Sequence, residues 1–303
     1  MGARTYSYGA NGTAWVEDVG GRQEAAGLRT ALYEENIMDY KEILYEVDHR
    51  VATITLNRPE TLNAFTDVML DEWTDALEGA QQDDNVWVVV VTGAGRGFCS
   101  GGNVKGFAYA ADREAPPLHA QRHHMRDGVH RVPRAVARLE KPYIAAVNGP
   151  AAGAGMDMAS MADIRIASER AKFVMSYVNM GLVTGDGGAY FLPRIVGVSR
   201  AYELMWGGEP FDAQEALRIG YVNHVVPHEQ FAQFVQEYAS KFASKPPVAV
   251  QLIKNAVRKG LTTDLDTTLD YLEWAMLICR STEDAKEGPR AWREKRPPVF
   301  TGR

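Results

Sequence analysis

The stretch Trp87-Val88-Val89-Val90-Val91-Thr92-Gly93-Ala94-Gly95-Arg96-Gly97-Phe98-Cys99-Ser100-Gly101-Gly102 decides how the chain is read. Trp87 to Val91 has no polar face, so it predicts a strand buried on both sides, inside a sheet covered above and below. A glycine-rich turn follows at once. A dinucleotide-binding G-x-G-x-x-G loop would need glycine where Phe98 stands, and no G-x-x-x-x-G-K-[ST] loop is present. Ser100 also lacks the G-x-S-x-G frame of a hydrolase nucleophile.

A second turn of the same kind, Asn148-Gly149-Pro150-Ala151-Ala152-Gly153-Ala154-Gly155, follows the apolar run Ile144 to Val147. Small side chains leave main-chain N–H groups approachable in both turns. Two readings are open: the glycines only permit tight turns, or one N–H from each turn converges on an oxyanion. The second turn also begins a helical pattern, whose N-terminal dipole favours negative charge.

Outward from these turns, Ile43 to Val47, a turn at Asp48-His49-Arg50 and Val51 to Leu56 predict a hairpin with one wet face. Asn57-Arg58-Pro59-Glu60 stops it, and an amphipathic helix is expected from Thr66 to Ala80. Ile164 to Ala167 and Tyr221 to Val226 predict further short strands, and Asp212 an N-cap for a helix over Ala213 to Arg218. After His228 the pattern is helical throughout. Strands alternating with helices give an α/β layered fold.

The chain has 303 residues, 33 Lys plus Arg against 39 Asp plus Glu, and a net charge of −6. That balance offers no footprint for nucleic acid, which is bound chiefly by Lys and Arg. Two cysteines, Cys99 and Cys279, form no Cys-x-x-Cys pair and are expected to be free thiols of a cytoplasmic protein. No apolar run reaches the roughly 20 residues of a membrane span. Residues 1–38 read as an N-terminal arm, 39–245 as the α/β core and 246–303 as a helical region.

Taken in order, Leu56-Asn57-Arg58-Pro59-Glu60, Leu62-Asn63-Ala64, Phe98 to Lys105, Ala145-Ala146-Val147-Asn148-Gly149, Ala162-Asp163-Ile164, Ala171-Lys172-Phe173 and Leu192-Pro193-Arg194 resemble the crotonase superfamily of enoyl-CoA hydratases and isomerases. The likeness covers about residues 40–300. It implies a spiral core of ββα units with a C-terminal helical trimerisation region, and a homotrimer or a hexamer of paired trimers. It implies an oxyanion hole for a CoA thioester carbonyl, with the N–H groups of Gly102 and Ala154 as donors. Alanine takes the place of a more usual glycine at the second position. Leu62 and Ala64 then fall in the segment that meets the adenine end of CoA. Lys105 is likewise expected to bind CoA, and Trp292 and Lys295 fall in a tail motif that meets the nucleotide. Coenzyme A enters as part of the acyl-CoA substrate, with no separate cofactor and no metal.

At the two places where family hydratases commonly carry glutamates, this chain has Asp157 and Tyr177. A phenol ionises near pH ~10 and cannot simply replace a carboxylate base, so two-glutamate hydration does not carry over. An aspartate at the first position is similar to that of dienoyl-CoA isomerases. The plain alternative for Asp157 is a solvated carboxylate on a helix.

Asp186, in Thr184-Gly185-Asp186-Gly187-Gly188, is the second candidate acid or base, expected across the thioester from Asp157. Its plain alternative is a helix N-cap. Its place also resembles that of the catalytic aspartate of oxocamphor hydrolase, a C–C bond hydrolase of the same superfamily.

His119 and His123 stand at i, i+4 in a helical stretch that also holds His124 and His130, a spacing that can bind metal. No Cys or paired-carboxylate motif completes such a site, and a pocket wall or solvent-facing helix is the expected role. Phe107 and Tyr109 point to a bulky or cyclic acyl group. The expected activity is enoyl-CoA hydration or double-bond isomerisation. Hydrolysis of a β-diketone or β-ketoacyl C–C bond, and CoA binding without catalysis, stand as alternatives.

Overall fold

A computed structural model describes residues 40–102 and 116–303, together with two short strands near the N-terminus. The chain divides into two compact units, residues 1–39 and 40–303. In the first, β1 (Ser7–Tyr8) pairs antiparallel with β2 (Ala14–Trp15). The calls on Lys105, Phe107 and Tyr109 lie outside the described residues.

The second unit opens with the expected hairpin, β3 (Ile43–Asp48) and β4 (Val51–Leu56). The strands run up to a two-residue turn whose His49 and Arg50 both have positive φ, 45° and 69°. That is the twist a tight hairpin demands, here met without glycine. Arg50 is held there by its guanidinium, 3.7 Å above the Trp87 ring and hydrogen-bonded to Phe300 O. Thr66 then caps α1 (Asp67–Gln82), its hydroxyl accepting from Met69 N–H.

β5 (Val88–Gly93), β6 (Tyr143–Val147), β8 (Ile164–Ser168) and β11 (His224–Val226) complete a six-stranded sheet of order β11-β8-β6-β5-β4-β3. Every pairing is parallel except β3 with β4. Alternation along β5 explains its double burial. Val89 and Val91 belong to the main core with Trp73 and Leu77, whereas Val88 and Val90 pack with Phe231, Val235 and Ala239. A small second sheet, order β10-β9-β7, joins β7 (Ala151–Ala152), β9 (Lys172–Val174) and β10 (Phe211–Asp212).

The helices between β5 and β11 depart from the sequence reading at one point. α2 (Leu118–His123) passes into a wide π-helical turn, His124–Val129, before α3 (Arg131–Arg138), so the histidines are not on one regular helix. α4 (Ala154–Ser160), α5 (Gly188–Val196), α6 (Val198–Gly207) and α7 (Ala213–Arg218) follow, the last capped by Asp212 as expected. The last strand is shorter than predicted. Tyr221 and Val222 return their N–H groups to Ala216 O, which leaves only His224–Val226 free to pair. The chain closes with α8 (Phe231–Ala243), α9 (Pro247–Gly260), α10 (Leu265–Arg280) and α11 (Asp284–Glu294).

Two buried asparagines shape the loop after β5. Asn63 Nδ2 donates to Ala94 O and Gly97 O at 3.0 and 2.8 Å, and its Oδ1 accepts from Arg58 N–H at 2.8 Å. Asn148 Oδ1 accepts from Gly93 N–H, and its Nδ2 donates to Gly95 O. An Asn63→Ala protein loses three hydrogen bonds and leaves buried main-chain groups unpaired, so urea unfolding is expected to show a loss of about 3 kcal/mol. Unchanged stability would contradict this role.

Candidate active site

β5 and β6 lie side by side, Val91 opposite Ala145, so the turns leaving their C-terminal ends emerge next to each other. The backbone then joins them. Phe98 and Cys99 both donate to Pro150 O, at 3.0 and 3.2 Å, and Ala152 N–H donates to Cys99 O at 3.0 Å. The turn after β4 is attached to the same loop through Ser100 N–H to Leu62 O, 2.9 Å, and Phe65 N–H to Gly101 O, 3.0 Å.

Gly101 has φ +90°, and a Cβ on it would lie 3.3 Å from Ala154 N. Gly102 follows directly, so the two candidate oxyanion donors stand in adjoining segments. Among the described residues, neither the Gly102 nor the Ala154 N–H donates to a main-chain acceptor. Ala154 opens α4, where an N–H has no acceptor within the helix. The unusual backbone falls on Gly153, with φ 52° and ψ −117°, so the Ala154 Cβ is accommodated in ordinary helical conformation.

Asp157 lies one turn further along α4, on the same face as Ala154. It is fully buried among Met156, Met158 and Ala159, so the reading of it as a solvated carboxylate is overturned. β9 pairs with β7, and Gly153 N–H donates to Val174 O, which brings the next segment against α4. That segment is a 3₁₀ turn, Ser176–Met180, carrying Tyr177. The loop after it carries Thr184 and Asp186.

The Tyr177 hydroxyl lies 2.8 Å from Asp157 Oδ2 and 2.5 Å from Asp186 Oδ2. Thr184 Oγ1 donates to Asp157 Oδ2 at 2.5 Å, and Asp186 N–H reaches the same oxygen at 3.3 Å. The remaining oxygens, Asp157 Oδ1 and Asp186 Oδ1, are buried without a partner among the described residues. Asp186 is therefore not across an open cleft from Asp157, since one hydroxyl bridges them. Nor is it a helix cap: Gly187 occupies the N-cap of α5, with no side-chain bond.

The electrostatics follow from burial and closeness. Burial pushes the Asp157 carboxyl up to about 7, with the Asp186 charge adding to the rise and the Thr184 and Tyr177 hydrogen bonds opposing it. Burial raises Asp186 as well, against the Tyr177 hydrogen bond and the nearby His130. Burial and both carboxyls hold the Tyr177 phenol neutral, far above its ordinary range. A neutral phenol has one proton and can donate to only one of two carboxyls. The second short contact therefore needs a proton from a carboxyl, so the pair shares one, as closely spaced acids do.

The other predicted residues are dispersed. Leu62 has φ 54°, and Ala64 O accepts from Arg58 Nη1 at 2.7 Å, which places both in the turn stitched to the glycine loop. Trp292 is strongly exposed near the end of α11, and Lys295 is its left-handed C-cap. No hydrogen bond between described residues links these two to the Leu62–Ala64 turn.

The histidines are engaged separately. His123 contacts Asp127, His124 lies 3.8 Å from Asp67, and His130 Nε2 is 2.9 Å from Gly185 O. The described residues hold no cluster of three or more His, Cys, Asp or Glu placed to bind a metal. Sequence reasoning gave Thr184 no role. Its only signal was proximity to Asp186, and only the fold turns its hydroxyl onto Asp157.

Comparison with known proteins agrees with this architecture. Residues 46–303 match the enoyl-CoA hydratase/isomerase family. A 1,2-epoxyphenylacetyl-CoA isomerase of Escherichia coli is 38% identical over 261 residues, covering 86% of this chain and 98% of the relative. A short-chain-enoyl-CoA hydratase of Clostridium acetobutylicum is 37% identical over 260 residues, covering 86% of this chain and 97% of that protein. The crystal structure of an enoyl-CoA hydratase from Bacillus anthracis superposes with a TM-score of 0.81 at 34% identity, covering 87% of this chain and all of that one. With a matched segment that spans most of the chain and relatives aligned nearly end to end, this protein belongs to the enoyl-CoA hydratase/isomerase family and has the crotonase fold.

Proposed function

We propose that the protein binds an unsaturated acyl-CoA thioester, stabilises its enolate with the Gly102 and Ala154 N–H groups, and moves protons with Asp157 and Asp186. Double-bond isomerisation is the favoured reaction and hydration the second. The observation that supports this order is the Tyr177 hydroxyl between the two carboxyls. It fills the place where a pair of carboxylates would hold a water, and it leaves one shared proton with a free oxygen on each acid.

Removal of a proton next to a thioester puts charge on the carbonyl oxygen, and a preorganised N–H aimed there contributes about 2.7 to 4 kcal/mol. One carboxyl then takes a proton from carbon while the other supplies one at the far end of the delocalised system. Leu62 and Ala64 would meet the adenine end of CoA, with Lys105, Trp292 and Lys295 toward its phosphates.

Assembly into trimers or hexamers forms part of the same proposal. Val257, Leu261, Leu265 and Trp274, on or next to the C-terminal helices, are all exposed in the single chain. No helix among the described residues is long and apolar enough to cross a membrane, and a cytoplasmic site of action accords with the free thiols.

Incubation of 2-enoyl-, 3-enoyl- and dienoyl-CoA esters in D₂O, followed by product mass, separates the reactions. Isomerisation changes mass only by deuterium, hydration adds one water, and C–C hydrolysis shortens the acyl group. Binding with no conversion in any member of the panel would leave only a CoA-binding role.

A second prediction concerns Asp157→Asn. The unfolded Asp157 ionises near pH ~3.9 and the folded one near 7. The native state therefore binds more protons across that window, and its stability falls as pH rises through it. The variant lacks this penalty, so its melting temperature relative to the parent is expected to climb from pH 4 to 7 while turnover drops about 10²-fold or more. Parallel melting curves at all pH values would contradict the buried, raised carboxyl.

A further inference from the structure

The two carboxyls are not served alike. Asp157 Oδ2 faces three donors: the Thr184 hydroxyl at 2.5 Å, the Tyr177 hydroxyl at 2.8 Å and the Asp186 N–H at 3.3 Å. Asp186 has only the Tyr177 contact, at 2.5 Å. The Asp186 N–H can only donate, and the Thr184 hydroxyl, with no other partner among the described residues, donates to Asp157 Oδ2 when that oxygen is ionised. A proton on that oxygen would face the N–H and turn the Thr184 hydroxyl from donor to acceptor, which gives up charge-assisted hydrogen bonds. A proton on either Oδ1 would be a buried donor with no acceptor among the described residues. A proton on Asp186 Oδ2 has the Tyr177 oxygen to accept it, and the phenol proton then turns to Asp157. This arrangement gives every donor an acceptor and keeps the charge on the oxygen that faces the most donors.

We infer that Thr184 is a positioning residue which, with the Asp186 main-chain N–H, fixes the charge of the pair on Asp157 and its proton on Asp186. This inference rests on the proposed function and deepens it: Asp157 becomes the base and Asp186 the acid. Oδ1 of Asp157, engaged by nothing, is the atom free to take a proton from carbon. A Cβ on Gly188 would stand 1.9 Å from that oxygen, so glycine there leaves it room.

Among the described residues, the other ionisable groups facing the pair are His130, Cys99 and Tyr221. His130 favours ionised Asp186, against the assignment, but its Nε2 is engaged with Gly185 O and not with the carboxyl. The Cys99 thiol is buried and pushed up to about 12, and Tyr221 gives its hydroxyl to Met156 O. Neither touches a carboxyl oxygen.

Neutron diffraction from crystals of the intact protein grown near pD ~8.5, above the titration of Asp157, tests the assignment without any substrate. The expected density has a deuteron on Asp186 Oδ2 aimed at Tyr177, and the Tyr177 and Thr184 deuterons aimed at Asp157. A deuteron on Asp157, or none on either carboxyl, would overturn it. Kinetics test the role of Thr184. Thr184→Val is expected to raise the acidic limb of the kcat/KM profile by about one pH unit, with Thr184→Ser restoring it. An unmoved limb in Thr184→Val, or no rescue by serine, would reduce Thr184 to a packing residue. If no acyl-CoA ester is turned over, the proposed reaction fails, yet the neutron result still decides the protonation.

Discussion

Everything at the site depends on a few main-chain hydrogen bonds between two glycine turns. Pro150 O accepts from Phe98 and Cys99, and Cys99 O accepts from Ala152, so the loops leaving β5 and β6 are held as one unit. The Asn148 side chain, at the start of the second turn, adds to the join through Gly93 N–H and Gly95 O. The parallel pairing of β5 with β6 sets the starting separation, and the asparagine amides of Asn63 and Asn148 hold the loop after β5 in shape. Gly101, next to Gly102, is brought against Ala154 by that geometry.

The carboxyl pair is costly to bury and is stable only because its surroundings are rigid. Asp157 sits on a helix whose first turn is fixed by the joined loops, and Tyr177 follows a strand paired to the residue pair Ala151–Ala152. Three segments that are distant in sequence thus converge on one proton. The raised Asp157 lies near neutrality, where a proton can be taken and returned with little driving force either way. The same burial that destabilises the ionised fold equips it for proton transfer at ordinary pH.

Much of this was legible before any coordinates. The hairpin, the doubly buried β5, the Thr66-led helix and the Asp212 cap follow from local periodicity and capping chemistry, which short segments carry themselves. Asp157 and Asp186 stood out as carboxylates in apolar or glycine-rich contexts. What local sequence could not carry was how they meet. Asp186 looked like a helix cap because a carboxylate before glycines often is one, yet the loop from Gly181 turns it back onto Asp157. The shortening of β11 comes from a local helix end, where Gly220 at positive φ turns Tyr221 and Val222 back onto Ala216 O, whereas the π turn before His130 packs against Gly185. Thr184 had no signal beyond its place two residues before Asp186, since its partner lies 27 residues away.

The most direct test of the central claim is a crystal structure with a saturated, unreactive acyl-CoA bound. The account places the thioester oxygen about 2.7 to 3.1 Å from both the Gly102 and Ala154 nitrogens, with the α-carbon in reach of Asp157 Oδ1. A thioester oxygen bound elsewhere, or met by only one of the two nitrogens, would contradict it.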